Sequence, residues 1–238
     1  MPVTSWNETI VAPDGAAFDA RTFAAGARGP GVLLLQEIWG VGEFIEAKAS
    51  ELAGLGYVVA CPDVFWRVER NVVLPHDEAG LATAFEYMGR FARVPADVTR
   101  GDLCAALEHL RALPATTGRC AVMGYCLGGR LAYEVAATGR PDGCVSYYGS
   151  GISDELDLAP QIGCPTLFHF GGADPYIDRA EVDRIRSAFA DRSDVEVVVQ
   201  ESAGHAFENS FAPAFFDPDA AAASWPVTLG FLARTLRA

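Results

Sequence analysis

Gly124-Tyr125-Cys126-Leu127-Gly128-Gly129, GYCLGG, is the stretch on which the reading of this chain turns. An apolar run, Arg119-Cys120-Ala121-Val122-Met123, leads into it, and a helix-patterned run, Arg130-Leu131-Ala132-Tyr133-Glu134-Val135-Ala136, leads out. A buried structural cysteine needs no glycines beside it, whereas a side chain held out from a sharp strand-to-helix turn does. G-x-C-x-G has the spacing of a nucleophile elbow with Cys in place of Ser. Bulky residues two positions either side of the centre would collide, so Gly124 and Gly128 relieve the crowding around a strained central residue. The turn sets the Cys126 sulfur at the amino end of a helix, where unpaired N–H groups and the helix dipole favour an anion and hence the reactive thiolate. The N–H of Leu127 would then point at a developing oxyanion.

Outward from this turn, short apolar runs bounded by Gly and Pro alternate with helix-periodic segments. Residues 7–12 and 16–24 read as a hairpin around Pro13-Asp14-Gly15. Residues 31–36, 57–60, 144–148, 166–170 and 195–200 read as strands, and 42–53, 97–113, 178–189 and 220–236 as helices. Residues 64–94 are the least regular part, with a helix expected over 78–91. Gly31-Val32-Leu33-Leu34-Leu35-Gln36 is continuously apolar, as suits a parallel strand covered on both faces. The alternation predicts an α/β fold: a mainly parallel central sheet with helices on both faces, preceded by an N-terminal hairpin. Ligands in such folds sit beyond the carboxyl ends of the strands. No repeat, linker or composition shift marks a boundary, so a single domain over residues 1–238 is expected.

The bulk composition narrows the partners. The chain is 50% hydrophobic, enough for one sizeable core. Its formal net charge is −13, Lys48 is its only lysine, and it has no basic cluster, which argues against nucleic acid and anionic membrane. The first residues show no secretory pattern and no apolar run reaches spanning length, so a cytoplasmic protein is expected. The six cysteines lack C-x-x-C spacing and read as reduced thiols; neither a metal nor a cofactor is implied. Five of them lie in plain strand or helix contexts and read as small core residues.

A thiol nucleophile calls for a histidine to move protons and a carboxylate to orient it. Of four histidines, His109 lies mid-helix, His169 lies inside a strand, and His76 follows Pro75 in the irregular region. His205 lies in Glu201-Ser202-Ala203-Gly204-His205-Ala206-Phe207, a loop directly after a strand, and is the expected base. Asp174, in Gly171-Gly172-Ala173-Asp174-Pro175, follows another strand and is the expected orienter, with Asp178 in reserve. Cys126, Asp174 and His205 thus occur in the order nucleophile, acid, base found in α/β-hydrolases.

Leu35-Gln36-Glu37-Ile38-Trp39-Gly40 ends the first buried strand with a carboxylate. QEIWG, GYCLGG, GGAD and AGHAF, in this order and spacing, closely resemble the dienelactone hydrolase (carboxymethylenebutenolidase) family of α/β-hydrolases, over nearly the whole chain. The resemblance implies that Cys126, Asp174 and His205 form a triad. It implies that Glu37 contacts the thiol and helps generate the thiolate when substrate enters, and that the Ile38 N–H is the second oxyanion donor. One departure stands out. The best-known members hold a substrate carboxylate with two arginines, but here 77–88 contains none, and the second position is Asn209. Arg67 or Arg70 could substitute. Trp66, Arg67, Tyr148, Phe207 and Asn209 make up the expected substrate-binding set, with the aromatics, like Phe65 and Tyr147, equally suited to the core. The expected activity is hydrolysis of a small ester or lactone by a monomer or homodimer. A thioesterase or acyltransferase on the same triad, or a redox-sensing, ligand-binding relative without turnover, is the alternative.

Overall fold

Pro13-Asp14-Gly15 turns the amino-terminal segment back on itself, with Gly15 at φ 85° and the Ala16 N–H donating to Asp14 Oδ1 at 3.0 Å. The result is an antiparallel hairpin of β1 (Thr4–Val11) and β2 (Ala17–Ala24), in register from Thr4 opposite Ala24 to Val11 opposite Ala17. A computed structural model describes residues 2–26 and 28–236. Its elements after the hairpin are β3 (Gly29–Leu35), α1 (Glu43–Gly54), β4 (Val58–Pro62), α2 (Glu78–Phe91), α3 (Ala96–Ala112) and β5 (Thr116–Tyr125). There follow α4 (Leu127–Thr138), β6 (Gly143–Tyr147), β7 (Thr166–Gly171), α5 (Arg179–Ala188), β8 (Val195–Gln200) and α6 (Pro218–Leu236). The eight strands form one sheet, in which β1, β2 and β4 pair antiparallel in sequence and the other described pairs are parallel.

Two compact units divide the chain, Met1–Cys120 and Ala121–Ala238, with the division falling inside β5. In the first unit the strand order is β1-β2-β4-β3. All seven residues of β3 are buried, as its unbroken apolar sequence demands of a strand covered on both faces. Pro62 is the last residue of β4 and pairs with Ala20; its missing N–H is tolerated at a strand end. The irregular stretch after it is gathered by Asp63, whose carboxylate accepts the N–H groups of Phe65 (3.1 Å) and Asn71 (2.6 Å). Asp77 caps α2 by accepting the Gly80 N–H.

In the second unit the order is β5-β6-β7-β8, all parallel, with α4 packed on β6 and α6 on β6, β7 and β8. Its core holds Val122, Met123, Val145, Leu167, Phe168, Leu131, Val135, Phe231 and Leu232. Two 3₁₀ turns, Ile152–Asp154 and Leu156–Gln161, were not expected; such short pieces have no hydrophobic period to betray them. Asp178 caps α5: its side chain accepts the Glu181 N–H while Glu181 returns a bond to the Asp178 N–H. Replacing this reciprocal pair by Asp178→Ala is expected to lower stability by about 1 kcal/mol, read from the shift in a urea midpoint at unchanged slope.

Candidate active site

Cys126 lies between β5 and α4 with φ 54° and ψ −115°, a conformation a side-chain-bearing residue avoids unless its surroundings impose it. The sequence shows what imposes it. A Cβ on Gly124 would stand 2.0 Å from the Gly128 carbonyl oxygen, and one on Gly129 would stand 2.5 Å from that of Tyr147. The Cys126 N–H donates to the Tyr147 carbonyl at 3.0 Å, tying the turn to the end of β6. Leu127 is the first residue of α4, so the helix itself offers its N–H no acceptor.

The loops after β7 and β8 are laced together: Gly172 N–H donates to Gln200 O at 2.8 Å and Ala173 N–H to Ala203 O at 2.9 Å. This brings Asp174 to His205. Asp174 Oδ2 lies 2.7 Å from His205 Nδ1, while its Oδ1 accepts the Tyr176 N–H at 2.8 Å, which fixes the carboxylate's orientation. His205 Nε2 lies 3.1 Å from the Cys126 sulfur. Three side chains from three loops at the carboxyl ends of β5, β7 and β8 therefore form one chain of contacts. The imidazole is also flanked by the Tyr148 and Tyr176 rings, each with its centroid 5.1 Å away.

Burial alone would push His205 down. The Cys126 charge beside it and the hydrogen bonds to Asp174 and to the sulfur outweigh burial and hold it up at about 10. The arrangement can thus keep a proton on the imidazole beside the Cys126 sulfur. Burial pushes the thiols of Cys61 and Cys144 up, and that of Cys164 to about 11. None of the six cysteines is in a disulfide. Among the described residues, no group of three His, Cys, Asp or Glu could hold a metal ion, and no helix is long and apolar enough to cross a membrane.

The remaining sequence-predicted residues fall in different places. Glu37 is buried just beyond the carboxyl end of β3, and with Trp39 and His76 it lines a narrow crevice of the first unit. Ile38 follows it, half-buried. Burial lowers His76, whose ring lies 4.9 Å from Trp39. Arg67 donates through Nε and Nη2 to Asp102 (2.6 and 2.8 Å) and through Nη1 to Asp14 (2.8 Å), so its fork is already engaged. Trp66 stacks on Phe18 at 5.1 Å and donates to the same Asp102. Arg70 donates to the Ala17 carbonyl. Tyr148 and Phe207 are fully buried, their rings 5.2 Å apart, and the Tyr148 ring also packs against His205. Asn209 is fully buried and accepts the Phe211 N–H at 3.0 Å. His169 is a core residue bonded to Thr228, pushed down to about 3 by burial, and His109 pairs with Glu8 at 3.1 Å. Asp178 serves as a helix cap, leaving Asp174 as the partner of His205.

Sequence reasoning missed Tyr176, which is half exposed with its ring edge-on to His205; its position two residues after Asp174 was the available signal. Iodoacetamide is expected to alkylate Cys126 well before Cys61 and Cys144, mapped by peptide mass. Equal rates at all six thiols would contradict the geometry.

Comparisons with known proteins converge. Residues 18–236 match the sequence model of the dienelactone hydrolase family. A carboxymethylenebutenolidase of Pseudomonas sp. (strain P51) is 36% identical over 228 residues, 95% of this chain and 94% of the relative. That of Pseudomonas putida is 34% identical over 215 residues, 87% of this chain and 90% of the relative. Among solved structures, a dienelactone hydrolase-like promiscuous phosphotriesterase from metagenomic libraries superposes with a TM-score of 0.81 at 23% identity, covering 99% of this chain and 100% of that one. Dienelactone hydrolase from Anabaena variabilis superposes with a TM-score of 0.72 at 16% identity, covering 99% and 100%. At these identities the structural likeness bears on the α/β-hydrolase fold alone.

Proposed function

The chain belongs to the dienelactone hydrolase family and is a hydrolase of ester and lactone bonds, and from that premise we propose that it works through a Cys126-His205-Asp174 triad. The observation that carries the reading is the continuous chain Sγ···Nε2 (3.1 Å) and Nδ1···Oδ2 (2.7 Å). One family model running through both units, with β5 unbroken across their division, supports a single domain.

The Cys126 thiolate attacks the carbonyl carbon, and the pair of electrons of the C=O bond moves onto oxygen. The Leu127 N–H meets that oxyanion. The intermediate collapses, the C–O bond to the leaving group breaks, and the His205 imidazolium gives the departing alkoxide its proton. A thioester remains. Neutral His205 then takes a proton from water as the oxygen of that water adds to the thioester carbon. Collapse expels the thiolate and returns the imidazolium–thiolate pair. Asp174 holds the Nδ1 proton in place throughout and favours the charged ring. The parts given to Glu37, as activator of the thiol, and to the Ile38 N–H, as second donor, rest on family membership; the burial of the Glu37 carboxylate supports the first.

We assign the substrate class as a small ester or lactone. We give no carboxylate-holding role to Arg67, because Asp102 and Asp14 already occupy its donors. Asn209 and the buried Tyr148 and Phe207 shape the His205 loop, and Tyr176 is the better wall for substrate. Cys126→Ala is expected to lose at least about 10³-fold in p-nitrophenyl ester turnover while keeping its circular dichroism. Unchanged turnover would reject the triad. A panel of lactones and short aryl esters, with and without a carboxylate, reads the substrate class; no gain from the carboxylate is expected.

The pH dependence follows from the raised imidazole. Its proton is needed to release the alkoxide, so kcat/KM, which reports the free enzyme, falls as the pH rises through about 10. The stability this proton contributes is whole below the ordinary value of 6.5 and is lost through the same rise. Asp174→Asn removes a charge and an acceptor that favour the imidazolium. Its alkaline limb is expected at lower pH, with kcat reduced by about 10²–10⁴-fold. An unmoved limb in a pH–rate profile would remove Asp174 from the mechanism.

A further inference from the structure

Glu208 is a buried carboxyl only three residues after His205. The Ser224 hydroxyl, about two turns into α6 from its capping end, donates to Glu208 Oε1. One turn further along α6, Thr228 Oγ1 lies 2.6 Å from the Tyr147 hydroxyl and 3.0 Å from His169 Nε2. Tyr147 and His169 stack with ring centroids 4.3 Å apart. Tyr147, His169, Ser224 and Thr228 have no exposed surface. Burial first, and then the Glu208 charge, push the Tyr147 phenol well above its ordinary value, so the carboxyl and the phenol are electrostatic neighbours. A polar cluster of this kind costs free energy to bury and returns it only as far as its members are bonded to one another.

Both ends of the cluster lead to reacting residues. From Glu208 the chain reaches His205 through Phe207 and Ala206, and Ala206 is held at φ 55°. The Asn209 N–H closes this turn onto the Ala206 carbonyl at 2.9 Å, and Asp217 N–H docks on the Phe207 carbonyl at 3.1 Å. From Tyr147 the main-chain carbonyl accepts the Cys126 N–H at 3.0 Å. The same side-chain cluster therefore fixes the base loop at one end and the nucleophile turn at the other.

We propose that Glu208 is a positioning residue: through Ser224 of α6 and the Tyr147–Thr228–His169 stack it sets the His205 loop against the Cys126 turn, so that Nε2 stays within reach of the sulfur. The proposal rests on the triad reading. Its energetic content is geometric, since a displacement of about 1 Å in a proton-transfer or attack geometry costs up to about 10²-fold in rate. Substrate binding is not involved, so the loss belongs to kcat.

The test compares Glu208→Ala, Glu208→Gln, Ser224→Ala and the Glu208→Ala/Ser224→Ala pair on a p-nitrophenyl ester, each checked for folding by circular dichroism and melting. Glu208→Ala is expected to lose about 10–100-fold in kcat with KM within about 3-fold. Glu208→Gln keeps an oxygen for the Ser224 hydroxyl and is expected to retain kcat within about 3-fold. The double variant is expected to fall no further than Glu208→Ala, because the two groups act as one unit. A folded Glu208→Ala with wild-type kcat overturns the proposal, as does a folded Gln variant as impaired as the Ala variant. Should Glu208→Ala fail to fold, Ser224→Ala decides: a reduced kcat at unchanged KM supports the proposal and wild-type kcat overturns it. Turnover by Cys126→Ala would sink the triad itself, whereas an inert Cys126→Ala beside a fully active Glu208→Ala sinks only the positioning role.

Discussion

The close approach of Gly124 to the Gly128 carbonyl is the constraint on which the rest depends. With 2.0 Å between that oxygen and where a Cβ would stand, no larger residue fits, and the chain can turn from β5 into α4 with Cys126 at positive φ. The strain at Cys126 is of order 1–3 kcal/mol and persists only because its surroundings over-determine it. They do so through the buried end of β5 before it, the close packing of Gly129 on Tyr147, and the hydrogen bond from the Cys126 N–H to the Tyr147 carbonyl. Strain here is what holds a sulfur out at a helix start instead of letting it settle into the core like Cys144.

The second requirement is electrostatic. A buried imidazole favours its neutral form, as at His169, pushed down to about 3 by burial with Thr228 bonded to its Nε2. His205, comparably buried, is held up at about 10 because the Cys126 sulfur and an aspartate face its two nitrogens. Two histidines of one unit are thus shifted in opposite directions, and the difference is their partners, not their burial. The Tyr176 bond to Asp174 and the lacing of the loops after β7 and β8 keep those partners aligned.

The two arginines considered for substrate show the limit of reading charge from a sequence. Nothing in Phe65-Trp66-Arg67-Val68-Glu69-Arg70 says whether Arg67 faces a ligand or the protein. The structure gives it to Asp102 of α3, 35 residues away, and to Asp14 of the hairpin turn. Trp66 shares the same aspartate, so an aromatic and a cation that looked like a binding pair are parts of the scaffold. Asn209 likewise turns inward to cap its own loop.

Much was legible without coordinates because it is local. The hairpin at Pro13-Asp14-Gly15, helix α2 over Glu78–Phe91, strand β8 over Val195–Gln200 and the glycines around Cys126 follow from short-range sterics and from periodic burial, which a sequence records directly. The order of Cys126, Asp174 and His205 after three strands was legible for the same reason. What required the tertiary structure is everything settled between residues distant in the chain: that Asp174 and not Asp178 faces His205, that Arg67 is consumed by Asp102, and that Glu208 meets Ser224 in the interior. A side chain's partner is fixed by where strands and helices carry it in space. Only the assembled sheet and its packed helices put such groups within a hydrogen bond of each other.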